Sequence, residues 1–172
     1  LPLLKGKLEA EGFSCRVIVS NILFYNWFLG GKEPQLCVEE VYDNPLKILS
    51  YYGDIEKRLW KKSQEYEGLD VGLRYMNMAK YDRTEFDSVL EAIEDARANP
   101  FIEYYDQLID EEFVGSGAKL IAIAVTFQDQ IISAFTLASL LRKKMPKAKI
   151  VFGGQMITRC YTTLIEHDGL RQ

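Results

Sequence analysis

"KLIAIAVTFQDQIISAFTLASLLRKKMPKAKIVFGGQMITR", residues 119–159, decides the fold. Residues 118–125, "AKLIAIAV", are rich in β-branched and small side chains, the pattern of a strand buried in a parallel sheet. Ile131, Phe135, Ala138 and Leu141 then recur at helical spacing, and Pro146 ends that helix because it has no N–H to continue it. A second apolar strand, 148–152, stops at Gly153 and Gly154, and Ile157, Tyr161 and Leu164 restart the helical period at once. Strand, helix, strand, helix predicts parallel strands joined by right-handed crossovers. Two glycines between a strand and a helix bring bare backbone to the carboxyl edge of the sheet. Open α/β sheets place their ligands there.

Outward from this stretch the same grammar continues. Residues 2–11 predict a short helix with Leu4 and Leu8 on one face and Gly12 just past its end, and "FSCRVIV", 13–19, predicts another strand. Residues 1–21 are therefore read as the first helix and strand of an α/β domain, and 114–172 as its remaining strands and helices. Residues 22–113 between them contain no convincing buried strand and are read as a helical insertion. Asn44-Pro45 and Asn99-Pro100 each offer an N-cap followed by proline at the first helical position, and Thr84 with Asp87 resembles a capping box. Three apolar stripes follow at helical spacing: Leu46, Leu49, Tyr52, Ile55 and Leu59; Phe86, Val89, Leu90 and Ile93; Phe101, Tyr104, Tyr105 and Leu108. Burial alone predicts such stripes, so these aromatics are read as core or interface. Three strands make a thin sheet, both ends of the chain read as incomplete and there is no initiator Met. The expectation is a segment of a larger protein.

The composition narrows the function classes. With 172 residues, 48% of them apolar, the chain suffices for a domain with a real core, and a net charge of -4 argues against an electrostatic grip on nucleic acid or anionic lipid. The one dense basic patch, Arg142-Lys143-Lys144 with Lys147 and Lys149, falls at a helix end, where cations favour the helix dipole. Cys15, Cys37 and Cys160 are too widely spaced for a disulfide framework or a clustered metal site and read as reduced thiols of a cytoplasmic protein. No stretch approaches the roughly 18 apolar residues of a membrane span, and no signal-peptide pattern opens the chain.

The chemistry-bearing residues gather at predicted strand ends. Ser20 and Asn21 follow the first strand; Thr126, Gln128 and Gln130 the second; Gly153, Gly154, Gln155 and Thr158 the third. This rim offers hydroxyls, amides and backbone N–H groups but no nucleophile, general base or metal ligand, so it reads as a binding site and not a catalytic one. The plainer reading of Thr126, Gln128 and Gln130 is that they cap and start a helix. His167, the only histidine, lies in a polar surface stretch, and no phosphate-binding loop, dinucleotide fingerprint or nucleophile elbow occurs. The acidic runs around Glu39, Glu91 and Asp110 look like solvated helix faces. A complete enzyme is not expected within these residues.

Residues 119–159 resemble the cobalamin-binding domain at the amino end of many radical S-adenosylmethionine enzymes. "LPLLKGKLEAEGFSCRVIVSNILFYNWF" looks like the first helix and second strand of that domain, and "NPFIEYYDQLIDEEF" like the helix before its third strand. The helical insertion is usual in the branch that acts in peptide natural-product maturation. The resemblance implies a flavodoxin-like or Rossmann-like parallel sheet with flanking helices, the corrin lying across its carboxyl edge and the nucleotide tail inserted beside the strands. By position, Thr126 and Phe127 match the family's Ser-Val-Thr-Phe turn, Gln128 and Gln130 the start of the next helix, and Gly153, Gly154 and Gln155 the tail-side turn. Ala124 stands where that turn usually carries Ser, which removes a hydroxyl. The Asp-x-His-x-x-Gly motif that supplies a lower axial ligand elsewhere is absent, so no residue of this chain is assigned to the metal. Beyond residue 172 the resemblance implies a barrel domain with a Cys-x-x-x-Cys-x-x-Cys site for a 4Fe–4S cluster and S-adenosylmethionine. Cobalamin would serve there as methyl carrier in a radical methyltransferase, with a peptide as one class of substrate. Two other readings stay open: a flavodoxin-like module that binds no cofactor and docks a partner through its insertion, and a nucleotide or flavin binder using the same rim.

Overall fold

The computed structural model describes residues 2–31 and 44–166, and the chain divides into two units, Leu1–Leu36 and Cys37–Gln172. In the first unit, helix α1 spans Pro2–Ala10. Gly12 ends it as expected: its φ is +84°, its N–H donates to the Glu9 carbonyl at 3.0 Å, and the Phe13 N–H reaches back to Leu8 at 3.0 Å. Residues 13–19 do not form the predicted strand. Among the described residues they belong to no ladder, and Ser20 and Asn21 open helix α2, Ser20–Phe28, instead of closing a strand. A strand exists only through its hydrogen-bonded neighbour, and apolar residues in a row specify no neighbour. Phe24 and Phe28, one helical turn apart on α2, are both buried, with rings stacked at 5.3 Å.

Among the described residues of the second unit, the first element is α3, Pro45–Ser63. Asn44 caps it as predicted: its Oδ1 accepts the N–H groups of Leu46 at 3.1 Å and Lys47 at 3.3 Å. Only the second half of the expected stripe is covered, because Ile55 and Leu59 are buried while Leu46, 76% exposed, Leu49 and Tyr52 face outward. Two short strands then pair antiparallel, β1 Leu69–Val71 with β2 Met76–Met78, in the register Leu69↔Met78 and Val71↔Met76. This hairpin corrects the reading that 22–113 contains no convincing buried strand. Three-residue strands are too short to impose a period-2 pattern, yet Leu69, Val71 and Met78 are buried. Glu56 of α3 anchors the hairpin loop by accepting the Leu73 N–H at 3.0 Å.

Helix α4, Phe86–Ala92, begins without the predicted capping box. The Thr84 hydroxyl instead donates to Asp82 at 2.6 Å, in a turn that Ser88 closes by accepting the Asp82 N–H at 2.8 Å. Helix α5, Phe101–Glu112, buries Phe101, Tyr104, Tyr105 and Leu108, the third predicted stripe. Asn99 caps it, its Oδ1 accepting the Phe101 N–H at 3.0 Å. Fully buried, Asn99 also donates its amide protons to the Ala92 carbonyl and to Thr136 Oγ1, each at 2.9 Å.

The parallel pair comes last. Strand β3, Leu120–Ala124, and strand β4, Lys149–Gly153, run from Leu120↔Lys149 to Ala124↔Gly153, with α6, Ile131–Lys144, between them in sequence and α7, Gln155–Glu166, after them. α6 packs on α5, where the Tyr105 and Ser133 hydroxyls lie 2.7 Å apart, and it buries Ile132, Thr136, Leu137 and Leu141, while Phe135 stacks on Phe152 of β4 with ring centroids 5.0 Å apart. The buried face of α6 is thus rotated from the predicted one, because the helix is covered by both a helix and the sheet. β3 is not buried on both faces as expected: Ile121 and Ile123 are covered while Leu120 is 60% exposed. The fold is therefore mixed α/β. Among the described residues it has seven α-helices, a two-stranded parallel sheet and an antiparallel pair, and no wider flavodoxin-like sheet.

Ion pairs add a refinement to the basic patch. Lys143 meets Glu94 at 3.1 Å and Lys144 meets Asp106 at 2.7 Å and Asp110 at 2.8 Å, so two of these cations answer acids beside α4 and on α5 as well as the helix dipole. The Asp95 carboxylate accepts from Lys80 at 2.6 Å, Tyr81 at 2.8 Å and the Arg97 N–H at 3.1 Å. The Lys80 ammonium, then the Tyr81 hydroxyl, hold its carboxyl far below the ordinary range. A depressed folded value contributes stability above the unfolded carboxylate value of about 3.9 and loses it as pH falls toward the folded value. The gap in thermal midpoint between the parent protein and Asp95→Asn is therefore expected to narrow between about pH 6 and about pH 3. Calorimetry across that range checks it; a constant gap would contradict it.

Candidate functional site

The carboxyl ends of β3 and β4 are stitched together beyond the ladder. The Val125 N–H donates to the Gly153 carbonyl at 2.8 Å, and the Met156 N–H at the start of α7 donates to the Val125 carbonyl at 3.2 Å. This edge gathers Thr126, Phe127, Gln128, Gln130, Gly153, Gly154 and Gln155, as the sequence predicts. Ser20 and Asn21 lie in the first unit, at a helix start.

The two glycines have different reasons to be glycine. Gly154 has φ +102°, and a Cβ on it would stand 2.4 Å from the Val125 carbonyl oxygen and 2.8 Å from its carbon. Its bareness is demanded by the neighbouring strand end, within the chain itself. Among the described residues, a Cβ on Gly153 would meet no atom within 4 Å. The space beside Gly153 is open.

The polar residues divide in the same way. Gln130 Oε1 accepts the N–H groups of Thr126 at 2.7 Å and Phe127 at 3.1 Å, so this carbonyl shapes the turn. The plainer helix-start reading holds for that residue. The Thr158 hydroxyl donates to the Gly154 carbonyl at 3.1 Å and secures the first turn of α7. Thr126, Gln128 and Gln155 are exposed, and Phe127, 67% exposed, stands out from a turn whose backbone is already tied. Asp129, in the short 3-10 turn Gln128–Gln130, forms an ion pair with Arg83 from the segment between β2 and α4. Sequence reading missed Arg83, and no local signal marks a partner 46 residues away.

A surface of this kind can hold a ligand that offers both donors and acceptors together with a flat apolar face. Among the described residues no group of three or more His, Cys, Asp or Glu could hold a metal ion, and no helix is long and apolar enough to cross a membrane. Cys15 and Cys160 are unpaired thiols, whereas Cys37 and His167 lie outside the described residues. Comparison with family models, curated proteins and solved structures finds no match to this chain.

Proposed function

We propose that this chain is a cobalamin-binding domain of a radical S-adenosylmethionine methyltransferase, with the corrin held at the carboxyl edge of β3 and β4. The observation that carries the reading is an open space at Gly153 and an exposed Phe127 ring, both just at or past the carboxyl ends of a parallel pair. The donor set suits the ligand. The rim of a corrin bears amides that donate and accept, as do the side chains of Thr126, Gln128 and Gln155. Phe127 would offer its ring to the apolar face, while Gly154 and Gln130 keep the edge in shape. When bound, cobalamin would supply methyl-carrier chemistry to a separate domain holding the iron–sulfur cluster and S-adenosylmethionine; this chain would bind and orient it.

A second reading has its own observation. The first half of α3 presents Leu46, Leu49 and Tyr52 outward, as a partner-docking module would. Titrating the protein with hydroxocobalamin and following visible absorption after gel filtration separates the two. Corrin that co-elutes with the protein is the expected result; a folded protein that retains none would favour the docking module.

A further inference from the structure

We propose that Arg83 is a positioning residue for this edge: through Asp129 it holds the 126–130 turn in place, so that the hairpin of the insertion sets how Phe127 meets a ligand. The ligand half of the statement rests on the cobalamin reading; the positioning half does not.

Among the described residues, two side-chain restraints on the turn do different things. Gln130 bonds to Thr126 and Phe127, which belong to the same turn, so it can fix the turn's internal shape but not its place on the surface. The ends of the turn are placed by β3 and α6, and a bond from its middle to a further element adds to that hold. The Arg83 guanidinium makes that bond, reaching Asp129 while its Nη1 also donates to the Met76 carbonyl of β2 at 3.5 Å. It spans a shallow pocket lined by Met78, Tyr81, Phe101 and Ile132, where the buried Phe101 and Ile132 provide a firm wall. A planar guanidinium directs its partner better than an ammonium would. At partial exposure such a pair is modest in strength, enough to bias a turn without carrying the fold.

The test uses the full chain with Arg83→Gln, Asp129→Asn and the reversed pair Arg83→Asp with Asp129→Arg. Amide hydrogen exchange at Thr126 and Phe127 is expected to quicken about threefold to fivefold in each single variant. The β3–β4 ladder should keep its protection, and the reversed pair should restore part of the slow exchange. Hydroxocobalamin affinity should fall by a similar factor in the single variants. Unchanged exchange at Thr126 and Phe127 would overturn the proposal, and so would a uniform quickening through the second unit, the mark of a merely structural residue. If local exchange responds but the parent protein retains no corrin, the cobalamin reading fails and the positioning role stands. If the parent and the single variants retain corrin equally well, the link from Arg83 to the ligand is overturned.

Discussion

Gly154→Ala is expected to cost about 3 kcal/mol or more of stability, whereas Gly153→Ala should be close to neutral. The asymmetry follows from geometry. Alanine at 154 would have to adopt φ +102° and drive its Cβ to 2.4 Å from the Val125 carbonyl oxygen. Backbone cannot swing aside as a side-chain tip can. Relief would require breaking the bond from the Val125 N–H to Gly153, or that from the Met156 N–H to Val125, which together join the strand ends to α7. At 153 the added methyl meets no described atom within 4 Å. Urea unfolding midpoints of the two variants decide the matter, and equal losses would contradict the close approach at Val125.

Asn99→Ala should cost about 2–4 kcal/mol, and Asn99→Asp no less. The side chain of Asn99 serves three buried groups at once: the Phe101 N–H at the start of α5, the Ala92 carbonyl at the end of α4 and the Thr136 hydroxyl of α6. Alanine leaves all three without this partner. Aspartate keeps the cap but sets an acceptor against the Ala92 carbonyl and buries a charge. Thr136→Val should be milder, since it removes one acceptor from Asn99 and a hydroxyl bonded within its own helix to Ile132. Denaturant curves for the three variants check the order; Asn99→Asp as stable as the parent would show that the two donated bonds contribute nothing.

What sequence could reveal depended on whether the deciding interactions were local. The Asn44 cap, the Gly12 helix end and the Pro146 stop involve residues a few positions apart, and all appear where spacing puts them. Asn99 was legible as a cap but not as a link between three helices, because Thr136 is 37 residues away. The failed strand at 13–19 and the unread hairpin at 69–78 share a cause. Strands are defined by partners, and neither an apolar run nor its absence names one. At the candidate site, the residues brought to one edge were readable from strand ends followed by turns. The reason for Gly154 was not, since the strand end it approaches, Val125, is linked to it only through the folded sheet.

The central claim, that a corrin occupies the space at Gly153, is tested most directly by comparing hydroxocobalamin retention in the parent protein and in Gly153→Trp. The Cβ of the new side chain meets no described atom within 4 Å, and an unchanged circular dichroism spectrum is expected together with loss of retained corrin. A folded Gly153→Trp that keeps corrin as well as the parent does would place the ligand elsewhere and contradict the account.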